Sequence, residues 1–177
     1  MSDDPGVVLH ALSPRGCLNL RGDLREAGFR NATATATGVE LPLEPRTWRF
    51  AGDTAVYWLG PDEWLIVVPA GREADLERGL RDTLAGSFSI VDTSGANCFL
   101  NLSGPAVGRV LQKSSPYDFH PRNFPAGRCV QTVFAKASAL VAGQADGSFD
   151  LVVRRSYADY VRLWIEDAAE EYGLARR

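Results

Sequence analysis

The alternation of apolar and polar positions predicts a series of short strands along the chain. Residues 17–22 alternate and end at a glycine, which is typical of a strand that enters a turn. Residues 54–59 and 63–68 are rich in Val, Ile, Trp and Tyr, and Gly60-Pro61-Asp62 between them favours a tight turn. We therefore expect an antiparallel hairpin there, apolar on both faces. Further alternating segments predict strands near residues 87–92, 97–102, 129–135, 138–144 and 148–153.

Helical spacing of apolar residues predicts about three helices between these strands. Leu76, Leu80 and Leu84 mark one helical face within residues 72–85. A short helix should follow Gly104-Pro105, and the last should run from the capping pair Ser156 and Asp159 to a glycine at 173. Residues 24–47 read as a long connection with one short element. The mixture predicts an α+β fold with largely antiparallel sheet packed by helices.

A chain of 177 residues suits one medium domain or two small fused halves. We expect a flexible arm over residues 1–15 and a single α+β domain over residues 16–173. A short repeat relates residues 17–22 to residues 98–104, since both contain Leu-Asn-Leu-x-Gly. Two matches of this length could also arise by chance, so the repeat leaves internal duplication open.

Composition narrows the functional classes. Apolar residues make up 45% and charged residues 23% of the chain, which is ordinary for a globular protein. The net charge of −3 and the absence of a basic run argue against general nucleic-acid binding. No apolar stretch approaches the roughly 18 residues of a membrane-spanning helix. The first five residues are acidic and lack an apolar core, so we do not expect them to form a secretory signal.

The cysteines and histidines offer little catalytic chemistry. Cys17, Cys98 and Cys129 are far apart and lie in strand-like runs, so we interpret them as reduced core thiols. A reactive thiol would need His10 or His120 brought close by folding. With two histidines and no Cys pair, a structural zinc site is not expected, and no familiar hydrolase, phosphate-loop or dinucleotide motif is present.

Two pairs of polar residues are candidate sites. Asp118 lies two residues before His120, so an acid–imidazole contact is conceivable, although a loop-packing histidine is the simpler interpretation. Arg154 and Arg155 could form an anion-binding corner for a carboxylate or phosphate. Two solvated charges at a strand end are the simpler interpretation. We therefore predict no catalytic, cofactor-binding or metal-binding residue in this chain.

Aromatic residues provide a candidate partner surface. Residues 114–128 contain three prolines among aromatic side chains, and such a long irregular connection is often functional. Trp is also favoured where an apolar ring meets a partner protein. For each aromatic residue of this surface, packing inside the chain's own core is the alternative. The predicted surface comprises Trp58, Trp64, Tyr117, Phe119, His120 and Phe124.

Four blocks in order carry a resemblance to a known family. Residues 58–66, Trp-Leu-Gly-Pro-Asp-Glu-Trp-Leu-Ile, resemble the W-L-G-P-D-E-W-L segment of the gamma subunits of heterotetrameric sarcosine oxidases. Residues 91–105 are similar to the next block, residues 115–127 to its C-P-L-D-L-H-P…F-P-G element, and residues 149–158 to its last strand and helix start. The first block also resembles, distantly, the folate-binding fold of the aminomethyltransferase (glycine-cleavage T-protein) family.

This resemblance implies a small subunit without catalysis of its own. The family's gamma chain assembles with alpha, beta and delta subunits, which carry FAD, FMN, NAD and zinc. The bacterial cytoplasmic complex oxidatively demethylates sarcosine to glycine with oxygen as acceptor. It passes the one-carbon unit to tetrahydrofolate, its co-substrate. No catalytic residue is transferred by the resemblance.

One departure keeps alternatives open. Ser115 stands where the family more often has Cys, and Tyr117 replaces Leu, which weakens any thiol-based role for this loop. The chain could instead serve a related complex such as N-methylglutamate dehydrogenase. A free-standing folate-binding module is the other alternative, and it would need a pocket with a carboxylate and an Arg such as Arg154.

Overall fold

The computed structural model describes residues 5–177, which form eleven β-strands and four α-helices. The strands are β1 (Val7–Ala11), β2 (Arg15–Gly22), β3 (Trp48–Ala51), β4 (Thr54–Gly60), β5 (Glu63–Pro69), β6 (Phe88–Asp92), β7 (Asn97–Ser103), β8 (Cys129–Phe134), β9 (Ala137–Gly143), β10 (Phe149–Arg154) and β11 (Leu174–Arg176). The helices are α1 (Ala27–Thr37), α2 (Glu73–Thr83), α3 (Val107–Ser114) and α4 (Ala158–Ala169). The chain divides into two compact units: a first unit (residues 14–95) and a second unit (residues 5–13 and 96–177).

The first unit has a five-stranded antiparallel sheet in the order β3-β4-β5-β2-β6. Trp64 and Ile66 of β5 lie on one face of the sheet, with Leu20 of β2 opposite Trp64. Phe29 of α1 and Leu80 of α2 join the same buried core. Both helices therefore cover one face of this sheet, and the burial of these apolar side chains stabilises the arrangement.

The second unit has a six-stranded sheet in the order β11-β1-β7-β10-β9-β8, in which the β1–β11 pair is parallel. Leu102 of β7 and Leu151 of β10 are fully buried in its core. Leu111 of α3 and Ile165 of α4 pack into the same core, so two helices again cover one face of a sheet. The predicted α+β class with largely antiparallel sheets is confirmed.

The two units share one order of elements, strand-helix-strand-strand-strand-helix-strand. It runs from β2 to β6 in the first unit and from β7 to β11 in the second. In each unit the first strand pairs with the fourth, and the third and fourth strands pair with each other. These pairs are β2 with β5 and β4 with β5 in the first unit, and β7 with β10 and β9 with β10 in the second. The Leu-Asn-Leu repeat falls on these first strands, where Asn19 Nδ2 donates to Glu63 at 2.8 Å and Asn101 Nδ2 donates to Asp150 at 2.7 Å. The sequence repeat therefore occupies equivalent positions in the two units.

The N-terminal strand corrects a prediction. Residues 1–15 were expected to form a flexible arm, but Val7–Ala11 lies inside the second sheet, between β7 and β11. Val7 and Leu9 are buried in the core of that unit, and this burial holds the segment in place. Arg15 already belongs to β2, and residues 1–4 lie outside the described residues.

Helix α1 lies in the segment that was expected to be mostly connection. Its Thr33 and Thr37 side chains donate hydrogen bonds to the carbonyls of Phe29 and Thr33, four residues back, at 2.8 and 2.7 Å. The helix ends at Gly38, whose φ of 72° is the left-handed conformation that glycine adopts without strain.

Helix α2 agrees with the predicted helix. Helix α4 is present but shorter than predicted, and it begins after Tyr157 with no side-chain cap hydrogen bond, so the predicted capping pair of Ser156 and Asp159 is wrong.

Among the four helices of residues 5–177, none has the length and apolar character needed to cross a membrane.

Candidate interaction surface

The proline-rich segment, residues 114–128, sends two of its aromatic rings into the core of the second unit. Phe119 and Phe124 are 2% and 3% exposed, and their ring centroids lie 5.1 Å apart in an edge-to-face arrangement. Phe149 of β10 completes the cluster, with its ring 6.1 Å from that of Phe119. The prediction that Phe119 and Phe124 form a partner surface is therefore wrong, because the segment folds back onto its own sheet. Tyr117 lies at the margin of this cluster and is partly exposed.

The tip of the segment is exposed but internally bonded. The Asp118 carboxylate accepts hydrogen bonds from the His120 backbone amide, at 2.9 Å, and from the Asn123 side chain. These bonds hold the pKa of Asp118 below its usual value. Nδ1 of His120 accepts a hydrogen bond from the Arg122 amide at 3.2 Å. The Asp118 carboxylate thus bonds to the backbone amide of His120, and this bond stabilises a turn.

Ser115, at the position where the sequence departs from the family pattern, is a structural residue. It is nearly buried, at 9% exposure, and its hydroxyl lies 3.1 Å from that of Thr132 on β8. The same oxygen accepts a hydrogen bond from the Tyr117 amide at 3.2 Å. The hydroxyl therefore ties the start of the proline-rich segment to β8.

The tryptophans of the predicted surface belong to the core of the first unit. Trp64 is fully buried, and its Nε1 donates a hydrogen bond to the Pro42 carbonyl at 3.1 Å. Its ring lies 5.8 Å from that of Phe29 of α1. Trp58 is partly buried against the same core. The surface prediction is wrong for Trp64, because a fully buried ring cannot meet a partner.

An aromatic row that the prediction did not include lies along β3 and β4. Trp48 stacks on Phe50 and on Tyr57, with ring centroids 5.4 and 5.3 Å apart. Phe50 is 67% exposed, the highest value among the large apolar side chains described as exposed. The alternation Trp48-Arg49-Phe50 before the turn at Gly52 could have indicated this strand. Nothing in the sequence indicated the exposure of Phe50.

The predicted anion corner lies at the end of β10. Arg154 is the last residue of the strand, opposite Asn97 of β7, and Arg155 starts a short 3₁₀ turn. Both side chains are exposed. The structure therefore places both arginines at the surface, at the end of a strand.

The thiols match the core interpretation in two cases of three. Cys17 and Cys129 are buried, while Cys98 is partly buried on β7. Cys17 Sγ lies 3.8 Å from the Arg15 carbonyl oxygen, to which its S–H donates. His10 and His120, the imidazoles that could act as bases, are exposed.

A surface pocket of about 610 Å³ in the first unit, at the C-terminal end of β2, has a volume typical of ligand sites. Three of its charged lining residues, Arg21, Asp23 and Arg25, are in ion pairs. Arg21 Nη2 lies 2.8 Å from Glu63, and Arg25 Nη2 lies 2.6 Å from Asp23. The hydrogen bonds from Arg25 lower the pKa of Asp23 to about 2. Among residues 5–177, no group of three His, Cys, Asp or Glu side chains is placed to hold a metal ion.

Comparison with known proteins gives the family. The chain is 37% identical over 152 residues to the sarcosine oxidase subunit gamma of Corynebacterium sp. (strain U-96), covering 81% of this chain and 70% of that protein. It is 36% identical over 168 residues to the corresponding subunit of Arthrobacter sp., covering 94% of this chain and 81% of that one.

Solved structures extend the comparison to the fold. A chain of the heterotetrameric sarcosine oxidase from Corynebacterium sp. U-96 superposes with a TM-score of 0.86 and 33% identity, covering 96% of this chain and 86% of that one. Aminomethyltransferase T from Bartonella henselae shares the fold, with a TM-score of 0.71 at 11% identity, over 48% of its length. Residues 21–171 match the family described as "Sarcosine oxidase, gamma subunit family". The chain therefore belongs to the sarcosine oxidase gamma subunit family.

Proposed function

We propose that this chain is the small structural subunit of a sarcosine oxidase complex, assembled with alpha, beta and delta subunits in the cytoplasm. The complex would demethylate sarcosine to glycine and pass the one-carbon unit to tetrahydrofolate. FAD, FMN, NAD and zinc would be held by the partner subunits. One observation carries the proposal: the match, at a TM-score of 0.86 over 96% of this chain, to a chain of a heterotetrameric sarcosine oxidase.

The local chemistry supports a structural role. Several side chains that could have served as acid, base or nucleophile make contacts that shape the fold. Asp118 and His120 stabilise a turn, Ser115 ties a loop to β8, and Cys17 and Cys129 are buried. Groups committed to such contacts are poorly placed to meet a substrate.

Co-expression with the alpha, beta and delta subunits of the same genome tests the proposal. We expect the tagged chain to purify with all three partners, and the complex to consume oxygen in the presence of sarcosine. The chain alone should not oxidise sarcosine. A chain that stays monomeric beside its partners would contradict the proposal. So would sarcosine turnover by the purified chain that one side-chain replacement abolishes.

A free-standing folate-binding module is a second candidate, favoured by one relative. The chain is 30% identical over 135 residues to an aminomethyltransferase of Geobacillus thermodenitrificans, although it spans only 36% of that protein. This candidate predicts tight binding of tetrahydrofolate by the isolated chain, measurable by calorimetry, and weaker binding by Arg154→Ala. The proposed structural subunit predicts no such binding.

A further inference from the structure

The two edge strands of the first unit differ in how their outward main-chain groups are used. β3 and β6 each pair with one neighbour, so each leaves one side open. In an antiparallel pair, alternate residues bond to the partner strand, and the residues between them direct their N–H and C=O groups outward. Natural proteins usually protect such groups, because an open edge can pair with another chain.

The β6 edge is protected by a side chain. The hydrogen bond from the Thr93 amide to the Cys17 carbonyl, at 2.8 Å, fixes the alternation and turns the Ile90 main chain outward. Arg81 of α2 donates from Nη2 to the Ile90 carbonyl at 3.0 Å. An ion pair with Glu77, at 2.7 Å, helps to hold the guanidinium in this position. The outward carbonyl of Ile90 is therefore bonded within the unit.

The β3 edge is open at Phe50. The Trp58 amide donates to the Thr47 carbonyl at 3.0 Å, and the same alternation then turns the amide and carbonyl of Phe50 outward. Within residues 5–177, no hydrogen bond to either group is found. The ring of Phe50 is 67% exposed and stacks on Trp48, so an unused donor and acceptor lie beside an exposed aromatic surface.

The outward main-chain groups of Phe50 and its exposed ring together indicate what kind of partner segment could bind at this edge. A free N–H and C=O on one residue of a strand match the main chain of an extended segment, as in strand addition to a sheet edge. An exposed phenyl ring stacked on an indole favours an apolar side chain on that segment. β3 carries no proline or lysine that would block pairing. Because a similar chain is solved as part of a heterotetramer, another subunit is the occupant these features favour.

We propose that an extended segment of a partner subunit docks on the β3 edge, forms a β-bridge with the main chain of Phe50 and covers its ring. This inference rests on the proposed function, since it requires partner subunits. It assigns β3 as a contact surface and leaves the protected β6 edge outside the interface.

A competition experiment tests the ring. Wild-type and Phe50→Ala chains with different tags are co-expressed with limiting alpha, beta and delta subunits, and their ratio in the purified complex is measured by mass spectrometry. We expect the complex to contain about tenfold less Phe50→Ala than wild-type chain, as for an interface residue that contributes moderately to binding. Val91→Ala is the matched control, because Val91 is 51% exposed on the β6 edge strand. It should compete equally with wild type, and both isolated variants should keep the wild-type melting temperature.

Hydrogen exchange tests the main chain without any substitution. The Phe50 amide should exchange at least about tenfold more slowly in the complex than in the isolated chain, if a β-bridge forms. Equal incorporation of Phe50→Ala, or unchanged exchange at Phe50, would overturn the inference alone. Self-association of the isolated chain that protects this amide would assign the edge to a second copy, and would also overturn it. Failure of the wild-type chain to assemble would refute the proposed function itself.

Discussion

Phe124 and His120 show that neighbouring residues of one segment have opposite roles. Both lie in the proline-rich segment, and both were predicted as partner contacts. The ring of Phe124 is 3% exposed and packs edge-on against Phe119, whereas His120 is exposed at the tip. The apolar character of the segment could be foreseen from its sequence. Which rings turn inward depends on contacts with Phe149, 25 residues away, which local pattern does not report.

Replacing Phe124 by alanine should therefore destabilise the fold. We expect the free energy of unfolding to fall by about 3–5 kcal/mol, because the substitution leaves a cavity in a closely packed cluster. Urea denaturation monitored by circular dichroism gives the value. The control His120→Ala should change it by less than about 1 kcal/mol, since it removes one exposed hydrogen-bond acceptor. A larger loss for His120→Ala than for Phe124→Ala would contradict this assignment.

The turn at Asp118 should respond to acid. The pKa of Asp118 is lowered by hydrogen bonds from the His120 amide and the Asn123 side chain, so folding favours the carboxylate. The stabilisation is complete above the ordinary aspartate pKa of about 3.9 and is lost as the pH falls through the lower, folded value. NMR titration should show the His120 amide shifting below about pH 4.

The variant Asp118→Asn removes the titrating group while keeping an acceptor for the His120 amide. Its His120 amide signal should therefore show no corresponding step. A midpoint above the ordinary aspartate value, or an identical step in the variant, would show that the amide reports another group.

Among the elements, those defined by local pattern could be predicted and those defined by distant partners could not. The β4–β5 hairpin was predictable because dense β-branched and aromatic residues flank a Gly-Pro-Asp turn. β1 and β11 are short and form through pairing with distant parts of the chain, β1 with β7 and β11, and β11 with β1. Their sequences carry no such signal.

Helix α1 was predicted only as one short element of unspecified type, for a different reason. Its Ala-Thr alternation over residues 32–37 mimics a strand, and threonine has only modest helix propensity. The structure shows that the buried Thr33 and Thr37 hydroxyls bond back to the helix itself. The polar positions are thus satisfied inside the element, so they do not require a solvent-facing strand.

The sequence predicted an exposed aromatic surface, but it did not identify the residues that form it. The abundance of tryptophan around residues 48–64 indicated an aromatic surface, yet Trp64 is core. The exposed member is Phe50, on an edge strand that only the pairing with β4 reveals. Alternation assigns side chains to one face or the other. Edge position, which decides exposure here, follows from strand order.

The turn between β7 and α3 depends on glycine. Gly104 has a φ of 110°, and a Cβ there would lie 2.6 Å from the Gly6 carbonyl oxygen. Gly104→Ala should lower the free energy of unfolding by roughly 2 kcal/mol or more, because both the backbone and the neighbouring segment must shift. The measurement is urea denaturation.

Gly108→Ala is the matched control for this turn. Gly108 lies four residues on, inside α3, with no atom within 4 Å of an added Cβ. Alanine there should stabilise the chain by up to about 1 kcal/mol. Equal effects of the two substitutions would show that the turn tolerates a side chain.

At the scale of the whole chain, the two units share one topology, and the Leu-Asn-Leu repeat lies on the first strand of each. Asn19 and Asn101 occupy the same place in the first strand of each unit, and each donates to an acidic residue on the fourth strand. The acceptors are not equivalent, because Asp150 lies directly opposite Asn101, whereas Glu63 lies two residues from Leu65, the residue opposite Asn19. The shared order of elements therefore carries the comparison. The second unit differs by accepting β1 between its first and last strands.

The insertion of β1 makes the second sheet depend on the N-terminal segment. β11 pairs with no strand except β1 in the described chain, through Val7 opposite Leu174 and Leu9 opposite Arg176. Deletion of residues 1–11 should therefore release β11. We expect the amides of residues 174–177 to exchange at least about tenfold faster by hydrogen-exchange mass spectrometry.

The first unit provides the internal reference for that deletion, because none of its sheet hydrogen bonds involves β1. Amides of β4 and β5 should keep their protection while those of β11 lose it. Since Val7 and Leu9 also leave the core of the second unit, the deletion should lower the stability of that unit by several kcal/mol. Leu9→Ala alone should give part of this loss, about 2–5 kcal/mol, without freeing β11. Unchanged exchange in β11 after the deletion would mean that the last strand is held by contacts other than its pairing with β1.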